Sequence, residues 1–364
     1  MVRCQDKITT MRLLYTLLFF LFSVSVFAQL TNESIIVDGL NRTYTLYLPS
    51  GFNSNISLPL VLNFHGGTGN ANDQLYTADM RDLADEQNFI VVYPNAYPDP
   101  NSSQETNWQV VTSGDLPFTV PNPHSDIIFI ENLIDYLHIE YNVDLNRVYA
   151  LGYSNGGGFT FDLGCRLNNK ITGIGVVART MYAETYDNCE VVHPTPVVTI
   201  LGNEDSISNY DGITYEGTLY YHSNHATNDL WIENNNLVPT PNLTFMPDIN
   251  SNDGSTVELY SWSSEDECIG LYHYKIIGGG HDWPGTFGNM DIVSHEVIWS
   301  HLSEYGMNGK LDCSVSDINL NSSISSKNLI EIVDALGRKV NHPTNQILFH
   351  IYDDGSVEKK FIVE

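Results

Sequence analysis

The chain has 364 residues, with 16 Lys plus Arg against 44 Asp plus Glu and a formal net charge of −28 at pH 7. A surface that acidic repels a nucleic-acid backbone, so DNA and RNA are excluded as expected partners. The length allows two domains, but an α/β enzyme of roughly 250–300 residues is commonly one domain around a large core, so one catalytic domain with appendages is expected.

The chain opens with an address signal. Leu13 to Ala28, LLYTLLFFLFSVSVFA, is apolar, follows Arg12 and ends in Val26-Phe27-Ala28 before Gln29. That order of basic start, apolar run and small residue predicts a signal peptide over residues 1–28, cut after Ala28. The run is shorter than the roughly 20 residues a spanning helix needs, so stable membrane insertion is not expected. Met11 would begin a more compact signal than Met1.

Past the signal, SIIVDGLNRTYTLYLPSGF alternates apolar and polar residues as half-buried strands do. LPLVLNFHGG and FIVVYPNA are continuous apolar runs, the pattern of strands covered on both faces. Between them DQLYTADMRDLADEQN has helical periodicity. SDIIFIENLIDYLHIEYNV then predicts a helix capped at Ser125 or Asp126 and ended at Asn142. RVYALGYS reads as a strand, NGGGFTFDLGCRL as a helix, and ITGIGVVA, TPVVTILGNED and LYHYKIIGGGH as further strands. MDIVSHEVIWSHLSEYGM closes the domain as an amphipathic helix. Strands separated by helices predict an α/β fold with a mostly parallel sheet, and functional groups at the carboxyl ends of its strands. The predicted organisation is a catalytic domain over 29–312, a Ser/Asn-rich linker over 313–326 and a small β tail over 327–364 with a turn at Asp353-Asp354-Gly355.

In an exported chain Cys165, Cys189, Cys268 and Cys313 meet an oxidising compartment in which disulfides persist. Four cysteines allow 3 pairings. Cys165 with Cys189 is favoured, because the chain between them leaves the sheet in one helix and returns in the next strand; closing that loop stabilises by about 3 kcal/mol. Cys268 with Cys313 then follows by elimination. No cysteine pair has structural-zinc spacing, and His222-x-x-His225 reads as a solvated helix face, so neither metal nor cofactor is expected.

The chemistry centres on Gly152-Tyr153-Ser154-Asn155-Gly156, a Gly-x-Ser-x-Gly pattern where a strand gives way to a helix. The turn is so sharp that side chains at 152 and 156 would clash, which exposes Ser154 as a candidate nucleophile. The amide of Asn155, at the start of the following helix, is one candidate oxyanion donor, and the amide of Gly67, in FHGGTG after an early strand, is the other. His281 follows a late strand in GGGHDWPG and is the candidate general base. His273 lies inside that strand and reads as structural, while His124, His193 and His295 lack a strand-end position. Asp205, just past the strand in PVVTILGNED, is preferred as the acid that orients the base, with Glu204 in reserve. Serine, acid, histidine is the chain order of α/β-hydrolases. Trp108 and Trp283 are candidates to grip an aromatic acyl group, a sugar or a polyester, with a place in the core as their other reading.

YTLYLPSGF, PLVLNFHGGTGNA, NVDLNRVYALGYSNGGGFT, TPVVTILGNED and IIGGGHDWPG together resemble the secreted polyhydroxybutyrate depolymerase and feruloyl or acetylxylan esterase family of α/β-hydrolases. The likeness runs over residues 35–305. It implies Ser154 as nucleophile, His281 as base, Asp205 as acid, and the amides of Gly67 and Asn155 as oxyanion hole. Two positions depart from the family: Gly67 stands where a cysteine is frequent, and the usual Gly-Thr-x-Asp reads Gly202-Asn203-Glu204-Asp205. IVDALGRKV and IYDDGSVEKKFIVE resemble the C-terminal sorting domain of type IX secretion, which implies that machinery as a partner and an extracellular or cell-surface location. The implied activity is hydrolysis of carboxylic esters, feruloyl or acetyl groups on plant or algal polysaccharide first and polyhydroxyalkanoate second. A serine peptidase and a catalytically silent binding protein on the same fold are the rival readings.

Overall fold

The computed structural model describes residues 29–98, 106–108, 125–313, 329–334, 338–340, 346–352 and 357–362. The signal peptide over 1–28, His124, the turn at 353–355 and all of the linker beyond residue 313 lie outside them. The described chain opens with a hairpin of β1 (Gln29–Val37) and β2 (Leu40–Leu48), turned by Asp38-Gly39 with φ of 51° and 78°. That is the left-handed pair a two-residue hairpin turn demands.

There follow β3 (Leu58–Phe64), α1 (Ala71–Thr77), α2 (Arg81–Gln87), β4 (Ile90–Pro94), α3 (Asp126–Tyr141), β5 (Val143–Tyr153), α4 (Asn155–Arg166), β6 (Gly173–Val177), α5 (Ala183–Asp187) and β7 (Val197–Gly202). A small hairpin of β8 (Ile213–Tyr215) and β9 (Thr218–Tyr221) leads to α6 (Asn224–Asn234), then β10 (Asn242–Phe245), β11 (Thr256–Ser263), β12 (Gly270–Ile277), α7 (Ser294–Leu302), β13 (Tyr305–Gly306) and β14 (Gly309–Lys310).

The main sheet has ten strands in the order β1-β2-β4-β3-β5-β6-β7-β12-β11-β10. From β4 through β12 the pairs are parallel; β1 and β2 at one edge and β11 and β10 at the other pair antiparallel. Alternate residues of each strand face opposite sides. Leu60, Leu62 and Phe64 join Phe129, Leu133 and Phe159 on one side, while Val61 joins Leu75, Ala84 and Trp299 on the other. Both faces of the central strands are covered, which is why they read as unbroken apolar runs.

Several expectations hold in detail. Ser125 accepts from the amide of Ile128, and Asn142 ends α3 in the left-handed conformation. Cys165 pairs with Cys189 and Cys268 with Cys313. Others need correction. The single helix expected between β3 and β4 is two, interrupted around Ala78–Met80, where the Tyr93 hydroxyl donates to the Ala78 carbonyl and accepts from the Met80 amide. A buried side chain reaching into the backbone ladder breaks it there. The antiparallel edge strands β10 and β11 have no counterpart in the sequence reading, and of α6 it had only the helix face at His222 and His225, of which His225 lies in the helix and His222 before its cap, Ser223. β10 is exposed throughout, and the buried face of α6 is Asn224, Thr227, Asn228 and Trp231, so neither shows an apolar stripe.

The chain divides into two compact units at Cys313/Ser314. In the second unit β15 (Leu329–Asp334), β16 (Gln346–Tyr352) and β17 (Val357–Ile362) form an antiparallel sheet in that order. Among the described residues no helix is long and apolar enough to cross a membrane.

One buried ion pair ties β2 to α3. Arg42 donates to Asp126, with side-chain exposures of 3% and 0%, and its guanidinium lies 4.0 Å from the centre of the Phe129 ring. Removing one partner strands a buried charge, which costs about 3–5 kcal/mol, whereas replacing both with apolar groups is often neutral. Chemical denaturation should therefore find Asp126→Leu strongly destabilised and the Arg42→Met, Asp126→Leu double variant restored toward the parent.

Candidate active site

Ser154 sits between β5 and α4 with φ 52° and ψ −116°. Left-handed φ is costly for any residue with a Cβ and persists only where the surroundings enforce it. Its amide donates to the Val177 carbonyl at 2.9 Å and its carbonyl accepts from Gly158 at 3.0 Å. A Cβ at Gly152 would meet the Gly156 carbonyl oxygen at 2.2 Å, and one at Gly156 would meet the Phe64 and His65 oxygens at 2.4 and 2.5 Å. Strand, turn and neighbouring strand end touch backbone to backbone, and the serine projects from the junction.

The Ser154 Oγ donates to His281 Nε2 at 2.8 Å, and His281 Nδ1 donates to Asp205 Oδ2 at 2.8 Å. The direction of these bonds fixes the tautomer. Asp205 Oδ1 accepts from the amides of Ile207 and Ser208 at 2.8 and 2.7 Å, and as an ionised carboxylate only accepts, so its Oδ2 holds a proton on His281 Nδ1. Burial pushes the Asp205 carboxyl up, but the His281 bond, the Ser208 and Ile207 amides and the adjacent imidazole outweigh it and hold the group below the usual carboxylate range. Glu204, the reserve acid, is exposed. The loops that carry the two groups are joined by backbone bonds: Asn203 N to Ile276 O at 3.0 Å and Glu204 N to Gly279 O at 2.9 Å. Tyr153 donates its hydroxyl to the His281 carbonyl at 2.8 Å.

Gly67 lies beside the start of α4: a Cβ built on it would be 3.6 Å from Asn155 Cβ. The backbones of the two proposed donors therefore flank one another next to Ser154. The loop is held by side chains. Asn155 Oδ1 accepts from the Trp108 amide at 2.7 Å, the Thr68 amide donates to Asn107 Oδ1 at 3.1 Å, and Trp108 Nε1 donates to the His65 carbonyl at 3.0 Å. His65 contributes both ring nitrogens: Nδ1 donates to the Gly66 carbonyl at 2.7 Å and Nε2 accepts from the Ala96 amide at 3.1 Å. Only the neutral ring can do both.

The expectation that Trp108 and Trp283 grip substrate is corrected. Trp108 is 2% exposed and stacks on Phe159 with centroids 4.8 Å apart, and Trp283 is 0% exposed, so neither has a free ring face. Trp108 instead acts through its polar atoms on the loop before it. His273 is structural as expected, buried and bonded to Thr199, Tyr210 and Asn224. The sequence reading passed over Tyr153 and Arg179. The buried Arg179 guanidinium lies 4.4 and 4.0 Å from the Tyr182 and Tyr221 ring centres and donates to Ser208 beside Asp205. A cation directly after a buried strand was the available signal. No cluster of three or more His, Cys, Asp or Glu able to hold a metal occurs among the described residues.

Burial lowers the His65 pKa from the usual 6.5 to about 4. The unfolded chain takes up a proton on this ring at a pH where the folded ring does not, so its contribution is complete above about 6.5 and is lost as pH falls toward about 4. That loss is about 3 kcal/mol for His65 alone. Thermal melts across this window should show the parent Tm falling with acid and a flatter profile for His65→Gln.

Residues 42–194 match the family model described as Esterase PHB depolymerase. The chain is similar to a bifunctional acetylxylan esterase/xylanase of Neocallimastix patriciarum, 27% identical over 278 residues that make up 76% of this chain and 35% of that protein. It is also similar to feruloyl esterase B of Piromyces equi, 25% identical over 254 residues, 66% of this chain and 42% of that protein. The chain thus spans well under half the length of either relative. Among solved structures, an acetyl xylan esterase from Aspergillus awamori superposes with a TM-score of 0.52 at 15% identity, covering 75% of this chain and 99% of that one. The chain therefore has the α/β-hydrolase fold, and the match to the esterase PHB depolymerase family model covers residues 42–194.

Proposed function

We propose that the protein is a secreted serine esterase that hydrolyses carboxylic esters through an acyl-enzyme. The observation that carries this reading is the unbroken chain from Ser154 Oγ through His281 to Asp205, with 2.8 Å at each step, next to the amides of Gly67 and Asn155. As the Ser154 oxygen attacks the ester carbonyl carbon, its proton passes to His281 Nε2. The imidazolium that forms is stabilised by the Asp205 carboxylate, which stays ionised. The carbonyl oxygen takes the negative charge and accepts hydrogen bonds from the Gly67 and Asn155 amides; each such donor is typically worth about 3–4 kcal/mol of transition-state stabilisation. Collapse of the tetrahedral adduct expels the alkoxide, which His281 protonates. Water, deprotonated by His281, then attacks the acyl-serine, and the same steps release the acid and restore Ser154.

The acyl esters of polysaccharides, feruloyl or acetyl, are the proposed substrates. Similarity to acetylxylan and feruloyl esterases supports this choice. Polyhydroxyalkanoate is the second reading, favoured by the family model over residues 42–194. We further assign residues 1–28 to export and the β tail at 327–364 to type IX sorting, on the sequence patterns alone.

Turnover of methyl ferulate, acetylated xylan and hydroxybutyrate oligomers by the mature protein tests the reading. Hydrolysis of an ester should fall by roughly 10⁶-fold in Ser154→Ala and by about 10⁴-fold in Asp205→Asn, the latter because the imidazole loses its tautomer. Equal turnover by parent and Ser154→Ala would end the serine mechanism, and the preferred ester identifies the substrate branch.

A further inference from the structure

In the sheet order β5-β6-β7, β6 lies between the strand that ends at Ser154 and the strand that leads to Asp205, yet it gives no member of the triad. Its end is tied to both neighbours. The Ser154 amide donates to the Val177 carbonyl and the Ala178 amide to the Ile200 carbonyl, each at 2.9 Å. The next residue is Arg179.

Arg179 is 6% exposed and forms no ion pair with a carboxylate among the described residues. A buried cation without a counter-charge opposes folding unless other groups hold it. Two aromatic faces do so, since the guanidinium lies 4.4 Å from the ring centre of Tyr182 and 4.0 Å from that of Tyr221. Its Nη1 donates to Ser208 Oγ at 3.4 Å, and the Ser208 amide donates to Asp205 Oδ1 at 2.7 Å. Ser208 is itself buried, so the step from Arg179 to the Asp205 loop is sheltered from water.

The other side of Arg179 packs on the first turn of α4. Gly158 donates its amide to the Ser154 carbonyl, and glycine inside a helix is destabilising relative to alanine. A Cβ at this position would come within 2.6 Å of Tyr182 Cε2 and 3.3 Å of Arg179 Nε. The missing side chain therefore admits the Arg179–Tyr182 pair against the helix that Ser154 begins. A planar guanidinium can lie on ring faces while its edge donates to Ser208, a combination that the compact ammonium of a lysine does not reproduce.

We infer that Arg179 is a positioning residue for the ester hydrolysis proposed above: a strut between the first turn of α4 and the Asp205 loop, which through Ser208 keeps the carboxylate on His281 Nδ1. It acts through Ser208 and Asp205 and has no contact with the reacting atoms. The inference rests on the esterase reading.

Two measurements on the full-length protein test it. Low-field proton spectra with ¹⁵N-labelled histidine report the His281 Nδ1–H held by Asp205 without any substrate, and steady-state kinetics report turnover of the ester that the parent prefers. Arg179→Lys and Ser208→Ala should each move that resonance upfield or broaden it, and each should lower kcat by roughly tenfold with little change in KM. The double variant should be no slower than the slower single variant, because both substitutions cut one connection. Arg179→Met, an apolar chain that fills much of the same space, takes the place of Arg179→Lys if the latter does not fold, with the same result expected. A resonance unmoved in the Arg179 variant or in Ser208→Ala, or losses in kcat that multiply in the double variant, overturns the inference and leaves Arg179 a packing residue. Because the resonance is read without substrate, a parent that turns over no ester ends the esterase reading, whereas an unmoved resonance ends this inference.

Discussion

Ser154 holds a φ of 52° because three backbone segments meet around it with no side chain between them. The end of β5, the first turn of α4 and the end of β3 approach so closely that a single added carbon at position 152 or 156 would overlap a carbonyl oxygen. Everything else at the site is placed relative to that junction. The start of α4 brings the Asn155 amide beside the serine, the end of β3 brings the His65–Gly67 loop, and the neighbouring order of β5, β6, β7 and β12 sets how far away the other loops begin. The strain is sustained by burial of β5 on both faces, where large apolar residues on either side fix the strand's position.

The polar groups around the junction are arranged so that no proton position is left open. Asp205 accepts from two amides and from His281, which leaves the imidazole with one free lone pair, aimed at Ser154. His65 is fixed in the same manner by Gly66 and Ala96 on opposite nitrogens. One ring is half a proton relay and the other is a neutral strut, and the difference is set by partners and burial. Backbone bonds between the loops after β7 and β12 add a mechanical link, so Asp205 and His281 keep their register even though 76 residues separate them.

α6 and the strands it covers use a different economy. Their buried face is rich in Asn, Thr, His and Tyr, joined into a network around His273, with Trp231 as the large apolar contribution of the helix. A polar interface of this kind holds its shape through directed bonds.

The central strands, the elbow and the order of the candidate groups are legible in the amino-acid sequence. Continuous apolar runs read as strands covered on both faces, and glycines at 152 and 156 leave the room that a strand-to-helix turn of this tightness needs. It also separated His281 from His273, because one follows a strand and the other lies within it. The rest depends on partners distant in the chain. The choice of Asp205 over Glu204 rests on which carboxylate turns inward to His281, and Trp108 and Trp283 are core residues because packing leaves them 2% and 0% exposed. The break between α1 and α2 is made by a hydroxyl from β4, and α6 is helical on a face that local hydrophobicity does not mark. Local pattern reports which groups must leave water; it does not report which buried polar group will meet which, since that pairing exists only once the sheet has brought the strand ends together.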